Sequence, residues 1–203
     1  MAAVRARPEV RGVRIVHPIE ARSYEILRSR ADTSGLPPLT RAVTERVIHA
    51  SADLDYLTAL VVSAEEDLRR AADALRAGAP VVTDVEMVAA GITAVAPVCH
   101  VRRAVARDGL TRSAAAVHLA YDEVGPGAVW AVGNAPTALE EILRLGVRPA
   151  LVVGLPVGFV GAAESKAALR ASGLPAVSNR GEKGGSAVAA AAVNALLYWE
   201  DSL

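Results

Sequence analysis

Five short apolar runs alternate along the chain with longer segments whose apolar residues recur every three or four positions. The runs are TALVV (58–62), PVVTDV (80–85), VWAVG (129–133), ALVVGLPV (150–157) and PAVSN (175–179). Several are continuous and β-branched rather than alternating, as strands covered on both faces are. Between them SAEEDLRRAADALRAG, TRSAAAVHLAYDEVG, APTALEEILRLGV and AAESKAALRASG carry helical periodicity. Ser63 precedes an acidic first turn, and Gly78, Gly146 and Gly173 stand just beyond helix ends, where a left-handed residue is wanted. Repeated strand–helix–strand units of this length predict right-handed crossovers and a parallel, doubly wound α/β sheet.

Two further helices, from residue 19 to about 31 and from 39 to about 50, precede the first strand and are separated by the breaker SGLPP. The charge-free stretch 184–199 reads as a buried helix, being shorter than the about 20 residues of a membrane span. Ligands of such sheets sit at the carboxyl ends of the strands, near the point where strand order reverses. The loops to watch are therefore TDVEM, GNAPT, GLPVGFVG and SNRGEKGGS.

Composition narrows the partners. The 203 residues are 52% hydrophobic but only 3% aromatic, with 22 basic and 22 acidic side chains. This is neither a disordered tail nor a general nucleic-acid binder, which would carry excess positive charge and stacking platforms. One domain is expected at this length. Cys99 is the single cysteine, which excludes an intrachain disulfide and fits a reducing cytoplasm. The opening MAAVRARPEVRG has arginines but no apolar run behind them, so no secretory signal is expected.

Candidate chemistry is sparse. GLPVGFVG lacks the GxGxxG turn, and RGEKGGS is not a P-loop. With Arg180 and Lys183 beside a helix start, RGEKGGS reads equally as an anion site and as a glycine-rich turn. His49 lies three residues after Arg46, on the same helix face, with Arg41 further back. A neighbouring cation disfavours a second charge on the ring and leaves an imidazole ready to give or take a proton. A histidine near a helix C-terminus can equally serve the helix dipole alone. His17, His100 and His118 have no metal-ligand spacing, and no metal site is expected. Arg112 and Ser113 open a helix, where a guanidinium reaches a carboxylate or solvent.

Several strings taken together go further: VIHASAD (47–53), AGAPVVTDVEMVAAGIT (77–93), TRSAAA (111–116), GNAPTAL (133–139) and GLPVGFVGAAESK (154–166). In these the chain resembles the precorrin-8X methylmutase family of cobalamin biosynthesis, from about residue 19 to 197. The resemblance implies a flavodoxin-like three-layer α/β/α fold with a parallel five-stranded sheet and two additional N-terminal helices. It also implies a single domain over 1–203 with an extension at 1–18, and a cytoplasmic homodimer with active sites at the subunit interface. The implied reaction is an intramolecular methyl shift from carbon 11 to carbon 12 of a tetrapyrrole. It gives hydrogenobyrinic acid from precorrin-8X, or cobyrinic acid from the cobalt form, without a cofactor.

Carried over by position, the catalytic residue is His49, and the substrate contacts are Ser23, Arg46, Thr93 and Arg112. Family members often read AHG where this chain has AAG at 89–91, and some differ before the final glycine pair. Two other classes stay open: a corrinoid-binding protein of the same fold without chemistry, and a phosphate or nucleotide enzyme using RGEKGGS.

Overall fold

A computed structural model describes residues 17–107 and 109–199. The expected extension at 1–18 lies outside the described residues apart from His17 and Pro18. The chain opens with α1 (Pro18–Arg30) and α2 (Pro38–Ser51), followed by the single turn α3 (Tyr56–Ala59) and β1 (Leu60–Val62). The remaining elements are α4 (Glu65–Arg76), β2 (Val81–Thr83), α5 (Glu86–Gly91), α6 (Arg112–Val124), β3 (Val129–Val132), α7 (Pro136–Leu145), β4 (Leu151–Gly154), α8 (Ala162–Ala171), β5 (Ala176–Asn179) and α9 (Ser186–Leu197).

One mixed sheet of order β1-β5-β4-β3-β2 forms the middle layer. Alternate strand residues enter two cores, as the two-residue period of a strand requires. Val129, Ala131, Leu151, Val153 and Val177 meet the buried faces of α2, α4 and α9. Trp130, Val132, Val152 and Ala176 meet α6, α7 and α8. The buried central strands and the buried α9 follow the sequence expectation.

Two expectations are corrected. β2, β3, β4 and β5 are parallel, but β1 pairs with β5 antiparallel, Leu60 opposite Asn179 and Val62 opposite Val177. The reason lies in α4, which carries the chain from one edge of the sheet to the other. A 12-residue helix spans roughly 18 Å, close to the roughly 19 Å width of five strands. It can therefore join β1 to β2 only if β1 ends where β2 begins. Ser63 accordingly does not cap α4: its N–H donates to Ala176 O (2.9 Å) and its Oγ accepts from Ala176 N (3.1 Å), closing the β1–β5 pairing.

The second correction concerns winding. From β2 to β5 each crossover moves one place in the same direction, so α6, α7 and α8 share one face and the parallel strands contain no reversal point. What holds of the expectation is a five-stranded α/β sheet covered on two faces, by α6, α7 and α8 on one and by α2, α4 and α9 on the other. The expectation does not hold for an all-parallel sheet. The sheet gains a short edge that sequence patterning missed: Thr83 N donates to Val98 O (2.9 Å) and Val98 N to Val81 O (2.8 Å).

Candidate active site

The two N-terminal helices bring the candidate residues together. Glu65, at the start of α4, caps α2 from outside: its carboxylate accepts from Leu39 N (2.6 Å), Thr40 N (3.0 Å) and Thr40 Oγ1 (2.8 Å). Those backbone donors have no partner within their own helix. At the other end Ala52 takes a left-handed conformation (φ 53°), which an alanine adopts only under tertiary constraint. The constraint is visible in the residues that flank it. Ser51 Oγ donates to Val47 O (2.9 Å), and Asp53 and Asp55 hold the Lys183 ammonium at 2.8 and 2.5 Å. VIHASAD is therefore the end of a helix tied to the loop after β5.

α1 docks on α2 through Leu27 and through Glu45, whose buried carboxylate accepts from Arg28, Arg41 and Thr33. Burial works against the charge, but these bonds outweigh it and hold the Glu45 carboxyl down at about 2. The docking places Ser23 Oγ 2.8 Å from His49 Nδ1. It also stacks the Tyr24 ring on the imidazole, 4.9 Å between centroids and 10° from parallel. His49 is half-buried, and with Nδ1 engaged by Ser23 its Nε2 is the nitrogen left to meet a ligand. This is more than a histidine serving a helix dipole.

Arg46, one turn earlier, lies 3.7 Å from Glu20 and has its guanidinium 5.6 Å over the Tyr198 ring. Tyr198 in turn meets Thr93 Oγ1 at 3.1 Å. Ser23, Arg46, Thr93 and His49 thus belong to one connected cluster. Beside it runs an open groove of about 460 Å³ along α1, lined by Pro18, Ile19, Arg22, Ser23 and Ile26.

Arg112 does not join the cluster. It is exposed at the start of α6, on the opposite face of the sheet, where Thr111 Oγ1 caps Ala114 N and meets Thr137 Oγ1 at 2.7 Å.

The carboxyl-edge loops are held by two buried charges. Asp84, in TDVEM, accepts from the N–H groups of Gly133, Asn134 and Ala135 at 3.1, 2.9 and 2.7 Å, which fixes GNAPT. Burial pushes its carboxyl up, against the pull of those donors. Lys166, fully buried, donates to Asn179 Oδ1 (3.1 Å) and Lys183 O (2.5 Å), which fixes the loop after β5. Burial, with Arg170 nearby, lowers its ammonium to about 8. Because Lys183 is bound to Asp53 and Asp55, the turn reading of RGEKGGS has structural support that the anion reading lacks.

Sequence reasoning missed Glu20, Tyr24 and Tyr198. Glu20 and Tyr24 were within reach, since both lie on the α1 surface that carries Ser23. Tyr198 has no local signal at all.

A family model described as precorrin-8X methylmutase matches residues 18–199. The chain is 44% identical to the cobalt-precorrin-8 methylmutase of Salmonella typhimurium, over 89% of this chain and 93% of that one. It is 42% identical to the precorrin-8X methylmutase of Sinorhizobium sp., over 93% and 97% respectively. A solved structure of the precorrin-8X methylmutase of Thermus thermophilus superposes with a TM-score of 0.80 at 34% identity, covering 92% of this chain and 99% of that one. With a single family spanning all the described elements, and with the histidine cluster in place, the chain belongs to the precorrin-8X methylmutases, isomerases of cobalamin biosynthesis.

Proposed function

We propose that this chain moves the methyl group of precorrin-8X from carbon 11 to carbon 12, giving hydrogenobyrinic acid, with His49 as the proton donor. The observation that carries the assignment is the His49 ring, held on one side by Ser23 and on one face by Tyr24. In the protonated ring Nδ1–H donates to the Ser23 hydroxyl, and the Nε2 proton is the one to be given, leaving a neutral imidazole. Nε2 then gives a proton or a strong hydrogen bond to a pyrrole-type nitrogen beside the migrating centre, which makes the conjugated system electron-poor. The bond from carbon 11 to the methyl breaks as the bond to carbon 12 forms. The proton returns to Nε2, and the step is an isomerisation with no net gain or loss of electrons.

The substrate presents acetate and propionate carboxylates at its rim. Arg46 and, from the far side of the carboxyl edge, Arg112 are the cations assigned to them, with Ser23 and Thr93 as polar contacts. Cobalt-precorrin-8 is a second substrate, favoured by the name of the Salmonella relative. A homodimer with sites at the interface belongs to the same reading. It is supported by the apolar surface left bare around the site, with Ile19 75% exposed beside Ser23 and Phe159 93% exposed in GLPVGFVG. No described helix is long and apolar enough to cross a membrane, and a cytoplasmic location is supported by the lone Cys99.

The test is to incubate purified protein with precorrin-8X and with its cobalt form and to follow the visible spectrum. Wild-type protein converts one or both. His49→Ala binds without converting, and full turnover by that variant removes His49 from the mechanism. A protein that binds product but converts neither substrate is a corrinoid carrier.

A further inference from the structure

We infer that Tyr24 is a positioning residue for the acid, fixing the plane of the His49 ring so that Nε2 faces the substrate. The inference rests on the assignment of His49 as proton donor. A hydrogen bond to Nδ1 alone leaves an imidazole free to rock about the line of that bond, swinging Nε2 through an arc. The near-parallel Tyr24 ring, 10° from the imidazole plane at 4.9 Å, opposes that motion because rocking breaks the stack. Ser23 and Tyr24 are consecutive residues of α1, so one turn of one helix supplies both restraints.

Tyr24 is itself held. The Arg28 guanidinium lies 5.6 Å over its ring, and Arg28 is anchored by Nη2 donating at 2.7 Å to the buried Glu45 carboxylate. Glu45 belongs to the same helix as His49, so α2 carries the acid and, through Arg28, steadies the ring that aligns it. The restraint suits an acid that acts on a rigid macrocycle, where a displacement of about 1 Å costs on the order of a hundredfold in rate.

The experiment compares Tyr24→Leu, Tyr24→Phe, His49→Ala and the Tyr24→Leu/His49→Ala double variant, with precorrin-8X turnover as one readout. The expected result is a fall in kcat of roughly 10- to 100-fold for Tyr24→Leu, with KM within about twofold. Tyr24→Phe, which keeps the aromatic face, restores most of that loss. The leucine substitution adds nothing in the His49→Ala background.

The second readout is the proton NMR signal of the His49 ring. A stacked ring shields it, so Tyr24→Leu moves the signal downfield whether or not the protein turns over. An unmoved signal overturns the stacking. A phenylalanine variant as poor as leucine, or a loss carried by KM alone, overturns the positioning role. An inactive wild type with a normally shielded His49 overturns the methylmutase reading instead.

Discussion

Glu45 is 2% exposed and charged, and its charge is what fastens α1 to α2. Its folded value of about 2 lies below the ordinary 4.5, so its contribution is complete above pH 4.5 and is lost as pH falls through about 2. A shift of that size corresponds to about 3 kcal/mol. Denaturant titrations over this acid range should show the loss in the wild type and not in Glu45→Gln, itself destabilised by about 1–3 kcal/mol at neutral pH, because the half-exposed Arg28 and Arg41 lose a charged partner but not their solvent.

Lys166 gives a pH dependence of the same sign in a higher range, although here burial works against the charge. Its folded value, about 8, lies below the ordinary 10.5 of a lysine, so the unfolded chain holds the extra proton between those values and stability rises with pH there. The same titrations from pH 8 to 10 should show that rise flattened in Lys166→Met. Neither value is legible in sequence. The shared face of Arg46 and His49 is, because a three-residue spacing on one helix fixes it, whereas the Tyr24 stack exists only once α1 lies on α2.

At the level of elements, caps and contacts between loops decide what sequence patterning leaves open. Amphipathic period and glycine stops located α4, α6, α7 and α8, since those signals are local, whereas α3 and α5, of four and six residues, are too short to show a period. The direction of β1 depended on where α4 had to deliver the chain, which no three-residue strand can announce. The Glu65 clasp on α2 is likewise a long-range contact, and Glu65→Ala should cost about 1–2 kcal/mol, read as a lower urea midpoint with unchanged slope.

Gly184 gives a sharper test. A Cβ there would meet the carbonyl oxygens of Leu155 and Pro156, the latter at 2.5 Å, and a backbone carbonyl cannot swing aside as a side chain can. Gly184→Ala should therefore push GLPVGFVG and the loop after β5 apart and destabilise by about 1–3 kcal/mol in the same titration.

Across the whole molecule, zero net charge says little about the ligand. Arg46 is shared with Glu20, Lys183 with Asp53 and Asp55, and Arg144 with Glu141, so the balance is struck locally. Arg46→Ala should weaken binding of the polycarboxylate, with a smaller loss at high salt, measured by titrating product absorbance at two ionic strengths. The proposed dimer predicts that Phe159→Asp, at a fully bare apolar position, shifts the sedimenting species towards monomer and lowers turnover with it.

Arg46 also has a consequence in time. It touches Glu20, from the first described helix, and Tyr198, beyond the last. A chain emerging from the ribosome can pair its early helices and lay down β2 to β5 in order. This corner must wait until residue 198 is free, and the β1–β5 pairing and the seating of α9 against α2 wait for nearly the same length of chain, so the site is completed together with the fold.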